Sequence, residues 1–130
     1  MTFDDYQKEV DLLLKNPERS NLELLCGQLC SEAGEVFGKL TKINRLAYKI
    51  KHFDDGDDKT PTNDQKLAWK QEMDSLWNLF WKEIGDTQFY LAAICLYSGH
   101  RLGDRANDNI EKLKARLEAG TLISGSGDMR

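Results

Sequence analysis

Two pairs of acidic residues are the side chains in this sequence best spaced for chemistry. Glu32 and Glu35 stand in SEAGEV, and Glu83 and Asp86 stand in KEIGDTQFYLA. On a helix, an i, i+3 spacing puts both carboxylates of a pair on one face. Both pairs lie inside strongly apolar stretches, where an inward carboxylate is costly unless a cation or donor neutralises it. Two such pairs on facing helices would build an all-oxygen cage for a hard divalent cation, Mg²⁺ or Mn²⁺. Gly34 and Gly85 each lie between the acids of a pair, where a helix interior disfavours glycine by about 1 kcal/mol. A small residue there permits close approach of a ligand or of the other helix. The spacing also has an ordinary source. With 22 acids in 130 residues, random placement gives roughly four such pairs, and Asp54/Asp57 and Asp108/Glu111 are further examples. Two exposed acidic faces on surface helices fit the spacing as well.

Other chemistries find less support. A di-iron carboxylate bundle needs Glu-x-x-His, but Tyr97 stands three before His100 and Lys49 three before His52. There is no G-x-S-x-G and no Cys–His order suggesting a nucleophile. The GSG at 125–127 lacks the Gly-Lys-Ser/Thr of a P-loop. Asp54, Asp57 and Asp58 resemble the start of a calcium loop, but no Glu closes it at the twelfth position. Cys26 and Cys30 lie four apart and do not form CxxC, and with Cys95 they read as small buried apolar residues in a reducing compartment. A zinc site would need more ligands.

The elements that must position these residues read as helices. Thr2 can cap a first helix carrying Phe3, Tyr6, Val10, Leu13 and Leu14 at helical spacing. Asn16-Pro17 is a natural break. A second helix runs from about 20 to about 52, with Leu22, Leu25, Leu29, Val36, Leu40, Ile43 and Ile50 on one broad stripe. Residues 54–64, DDGDDKTPTND, read as an exposed acidic loop. A third helix begins near Thr62 or Asp64 and reaches about Ser98. Its density of Trp, Phe and Leu implies burial on several sides, partly in a subunit interface. Gly99 and Gly103 bracket a turn. A fourth helix starts near Asp104 and stops before Gly120, a suitable C′ residue, with Lys112, Lys114 and Arg116 in its later turns. The predicted fold is all-α: a four-to-five-helix bundle in one domain over 1–120, followed by a flexible tail over 121–130.

Composition narrows the setting. The chain has 18 Lys+Arg against 22 Asp+Glu, a formal net charge of −4. An acidic chain without a basic block is a poor general nucleic-acid binder. No apolar run approaches the ~18 residues of a membrane span. The acidic start, MTFDDYQKEV, lacks the pattern of a signal peptide, so a cytoplasmic location is expected.

GQLCSEAGEVFGKLTK followed by WKEIGDTQFYLAAI resembles the MazG-like all-α nucleoside triphosphate pyrophosphohydrolases. Their signature is Glu-x-x-Glu on one helix and Glu-x-x-Asp on the next. The resemblance covers most of residues 20–120. NDNIEKLKARLEAG resembles the family's last helix, and GSGDMR resembles the tails of phage-type members. It implies an oligomer, a homodimer or homotetramer, whose Mg²⁺ ligands are Glu32, Glu35, Glu83 and Asp86. Two or three Mg²⁺ would bind per site, with Mn²⁺ as a substitute, and Glu35 or Glu32 would orient the attacking water. Asn109, Lys112 and Arg116 would contact phosphates. Lys39 and Lys42 follow the first motif by one and two turns, and either a phosphate contact or a solvated lysine fits them. Trp77, Trp81, Phe89 and Tyr90 are the aromatic candidates to read the base, core packing fits each of them as well, and Tyr90, four residues after Asp86, is the best placed.

The implied reaction cleaves a nucleoside triphosphate, with dGTP favoured, between its α- and β-phosphates. The products are a monophosphate and pyrophosphate. A dimeric dUTPase or a phosphoribosyl-ATP pyrophosphohydrolase would use the same carboxylates with another base pocket. A non-catalytic, partner-binding helical bundle would leave the acids unused. One departure from the family stands out: 47 residues separate Glu35 from Glu83, more than is common between the two motifs.

Overall fold

The computed structural model describes residues 1–14, 21–53 and 60–120. These residues form four α-helices: α1 (Phe3–Leu13), α2 (Leu22–Lys51), α3 (Asn63–Tyr97) and α4 (Leu102–Glu118). No strand occurs among them, so the chain is all-α. Asn16-Pro17, the calcium-like aspartates 54–58 and the predicted tail 121–130 lie outside the described residues.

Local chemistry sets the helix ends. Thr2 and Asp5 form a reciprocal capping box on α1: the Asp5 N–H donates to Thr2 Oγ1 at 3.1 Å, and the Thr2 N–H donates to Asp5 Oδ2 at 3.1 Å. The Thr2 hydroxyl also donates to Asp5 Oδ2 at 2.6 Å, and this bond, followed by that from the Thr2 N–H, holds the Asp5 carboxyl below its ordinary value. Thr62 and Gln65 repeat the device at the start of α3, with bonds of 3.1 and 2.8 Å. At the end of α3, Gly99 takes φ +73°. There the Gly99 N–H donates to Leu96 O and the His100 N–H to Cys95 O, a Schellman closure that needs a residue tolerant of the left-handed conformation. Gly120 closes α4 at φ +70°. Gly103 does not bracket the turn, because α4 already begins at Leu102. An added Cβ on Gly103 would stand 3.9 Å from the Phe3 Cβ.

The chain divides into two compact units, one of Met1–Leu22 with Leu91 onward and one of Glu23–Tyr90. In the first unit α1 packs against α4, and Val10, Ala92 and Ala93 are buried. The buried Gln7 amide clamps the connection into α4. Its Nε2 donates to His100 O at 3.2 Å, and its Oε1 accepts from the Leu102 N–H at 2.8 Å. Arg101, at the N-cap of α4, offers no side-chain cap. Gln7 thus supplies the acceptor that a capping residue ordinarily provides. Arg101 instead forks onto the Asp4 carboxylate. Burial raises the Cys95 thiol pKa, and the charge of Arg105 opposes the rise.

In the second unit, α2 runs antiparallel to the first part of α3. Lys39 meets Glu83 and Phe53, two residues past the end of α2, meets Trp69 edge-on, so a 14-residue advance from Lys39 matches a 14-residue retreat along α3. The buried side chains here are Leu25, Ile43, Leu46 and Glu83. Within the single chain α3 is not buried on several sides; the part of the expectation that assigns its cover to a subunit interface involves a second chain. Leu67, Trp77, Leu79, Trp81 and Ile84 are all exposed, because α2 covers a single stripe of a helix that is apolar most of the way round. Cys26 and Cys30 are likewise exposed, contrary to the expectation of buried small residues, and all three cysteines are free thiols.

Candidate metal centre

The carboxylates come from two antiparallel helices of the Glu23–Tyr90 unit. Glu32 and Glu35 share a face of α2 because they are three residues apart, and α3 brings Glu83 opposite them. One carboxylate oxygen from each of Glu32, Glu35 and Glu83 lies within 4.8 Å of the others. Glu83 is buried, Glu32 half-buried and Glu35 exposed, so the cluster has a closed side on α3 and an open side at Glu35. Asp86 is exposed and stands outside this close group. The structure therefore gathers three of the four expected acids. The fourth acts through its field. Burial raises the Glu32 pKa first, and the negative charges of Glu35, Asp86 and Glu83 raise it further.

Lys39 completes the cluster. Its ammonium lies 3.3 Å from Glu83 Oε1, and the two side chains are only 20% and 11% exposed. One lysine faces three carboxylates, so negative charge remains in excess. Thr87, one turn beyond Glu83, donates its hydroxyl to Glu83 O at 2.8 Å. That bond occupies the backbone carbonyl and leaves the Glu83 carboxylate to Lys39 and the cluster.

The donor set fits a hard divalent cation. All three ligands offer anionic oxygen, they converge from two helices, and their mutual repulsion is what a +2 ion would relieve. Gly34 and Gly85 do not mark a close helix contact, because an added Cβ on either would meet nothing within 4 Å. They leave open space beside the acids instead.

The remaining expected site residues fall elsewhere. Tyr90 is half-buried, with its ring edge-on to Phe89 at 5.3 Å between centroids. Asn109, Lys112 and Arg116 lie on α4, in the other compact unit. Their spacing of three and four places them on one face of that helix. Lys42, two turns past Glu35, lines a groove between α2 and α3 together with Arg45, Leu46, Lys49, Glu72 and Leu76. Arg45 and Lys49 received no functional reading from the sequence. The signal that could have found them is the 42/45/49 spacing of three cations on one helix face. No family model, curated protein or solved structure matches this chain.

Proposed function

We propose that this chain is a Mg²⁺-dependent nucleotide pyrophosphohydrolase that cleaves a nucleoside triphosphate, dGTP being favoured, between the α- and β-phosphates. The observation that carries the reading is the convergence of Glu32, Glu35 and Glu83 within 4.8 Å from two helices. The resemblance of the surrounding motifs to the MazG-like enzymes supplies the reaction class. Glu32, Glu35 and Glu83 would hold the cation, and Asp86 would join them from the same face of α3 as Glu83. Bound Mg²⁺ would supply charge neutralisation for the triphosphate and a water of lowered pKa. Glu35, the exposed member, is the carboxylate suited to accept a proton from an attacking water. The resemblance would assign the charge on departing pyrophosphate to Lys112 and Arg116, with Asn109 as a neutral donor. Self-association belongs to the same proposal. Phe37, Tyr48 and Trp81 are 71%, 67% and 62% exposed, and a partner copy would give such large aromatic side chains cover. Sedimentation should give a dimer or tetramer, and Trp81→Lys should lower the mass.

The deciding experiment measures pyrophosphate release from the common dNTPs and NTPs, with and without Mg²⁺ or Mn²⁺, for wild type and Glu35→Gln. Release that needs both metal and Glu35 is expected, and the substrate panel then names the base. Absence of both release and metal binding sinks the enzyme reading and leaves the partner-binding bundle.

A further inference from the structure

The groove between α2 and α3 on the Glu23–Tyr90 unit carries a charge pattern opposite to that of the chain. Lys42, Arg45 and Lys49 line it from α2, Glu72 and Leu76 line it from α3, and the buried Leu46 forms part of its floor. The ionisable lining sums to +2, within a chain of net charge −4. Lys42 and Arg45 are three residues apart, and Arg45 and Lys49 are four apart. On a helix each such like-charge pair is destabilising. None of the three cations forms an ion pair with another described residue. Glu72 offers one negative charge to three positive ones. Lys49 lies in the last turn of α2, where the helix dipole favours a cation. Lys42 and Arg45 lie further back and draw little from that dipole.

We propose that this groove is a binding site for a phosphorylated polyanion, with Arg45 and Lys49 as its principal anchors and Lys42 as a third. A compact multivalent anion is the ligand class that satisfies all three cations together. It relieves two repulsive pairs with one molecule, whereas a monovalent anion relieves at most one. Arg45 supplies a planar fork matched to two phosphate oxygens. The lysines supply point charges at about 10 Å spacing along the helix axis. Glu72 acts against the ligand and limits its affinity.

Inorganic pyrophosphate is the probe, titrated calorimetrically into the full chain in metal-chelated buffer. Divalent cations are absent, so the result stands or falls independently of the carboxylate cluster. Wild type should bind, and its affinity should fall as salt rises from 50 to 200 mM. The double variant Arg45→Gln/Lys49→Gln should bind at least fivefold more weakly. Glu72→Gln should bind at least twofold more tightly. The three substituted side chains are exposed, and circular dichroism would verify that each variant keeps its helices. An absence of binding by wild type would overturn the proposal. So would equal affinity in the double variant, or a loss caused by Lys112→Gln instead, which would place the anion on α4.

Discussion

One helix pair carries two regions of opposite electrostatic character. Around Glu35 of α2, three carboxylates crowd within 4.8 Å with one lysine among them. Two turns further along the same helix, three cations line one groove against a single glutamate. The same scaffold holds both, so the difference does not come from the fold. It comes from where like charges are concentrated beyond what local pairing neutralises. Elsewhere on the described surface some charges pair locally, as in Lys70–Asp74 and Arg105–Asp108. Such exposed pairs contribute at most about 1 kcal/mol. The two unbalanced regions are different in kind: each is eased by an external ion of the opposite sign.

Under the proposed function, the largest effect that separates the two regions is on turnover. Glu35→Gln should lower pyrophosphate release by about 10²-fold or more, whereas Lys49→Gln should change that release little. Equal losses from both substitutions would erase the distinction between the regions.

Lys39→Met tests how the acidic region holds together without metal. It leaves the buried Glu83 facing Glu32 and Glu35 with no cation. Because both partners of the lost pair keep some contact with water, the expected cost is about 1–2 kcal/mol, less than for a fully buried pair. Urea unfolding in metal-chelated buffer measures it. Mn²⁺ should recover more stability in this variant than in wild type, because the ion would replace the missing charge.

The smallest effect is on the pH dependence of stability. Glu32 has a raised pKa in the folded chain, so the folded state binds its proton more tightly than the unfolded state. Stability of the metal-free protein should therefore fall as pH rises from the ordinary glutamate value, 4.5, through the raised folded value. Asp5 runs the other way. Its folded pKa is lowered by Thr2, and its contribution disappears as pH falls through that lowered value. Thermal melts of wild type and Glu32→Gln between pH 4 and 8 should differ in slope, with the wild type losing more on the alkaline side. Identical slopes would mean that the crowding at Glu32 has no energetic consequence.

Helix boundaries were largely legible because they are local. Thr2, Thr62, Gly99 and Gly120 each act through backbone groups within a few residues, and each stands where the sequence placed a cap or a stop. The Glu32/Glu35 pairing was legible for the same reason. Burial was not. The apolar density of α3 predicted cover on several sides, but density states only how much surface needs covering. Whether a neighbour covers it depends on the other elements, and Trp77 and Trp81 stay exposed. The cysteines follow the same logic, since a small apolar side chain is compatible with a core without requiring one.

The sequence by itself determined that the chain is helical, where most of its helices begin and end (the start of α4 excepted), and which charges share a helix face. All of these follow from 3.6-residue periodicity and from hydrogen bonds closed within a turn. Only the tertiary structure decided which faces meet. It chose Glu83 over Asp86 for the close carboxylate group, gave Lys39 to Glu83, set Gln7 to clamp His100 and Leu102 from 93 and 95 residues away, and folded Glu72 across from Lys42, Arg45 and Lys49. These choices depend on the register and rotation of one helix against another. That geometry is fixed by packing across the chain, and no spacing within a single helix contains it.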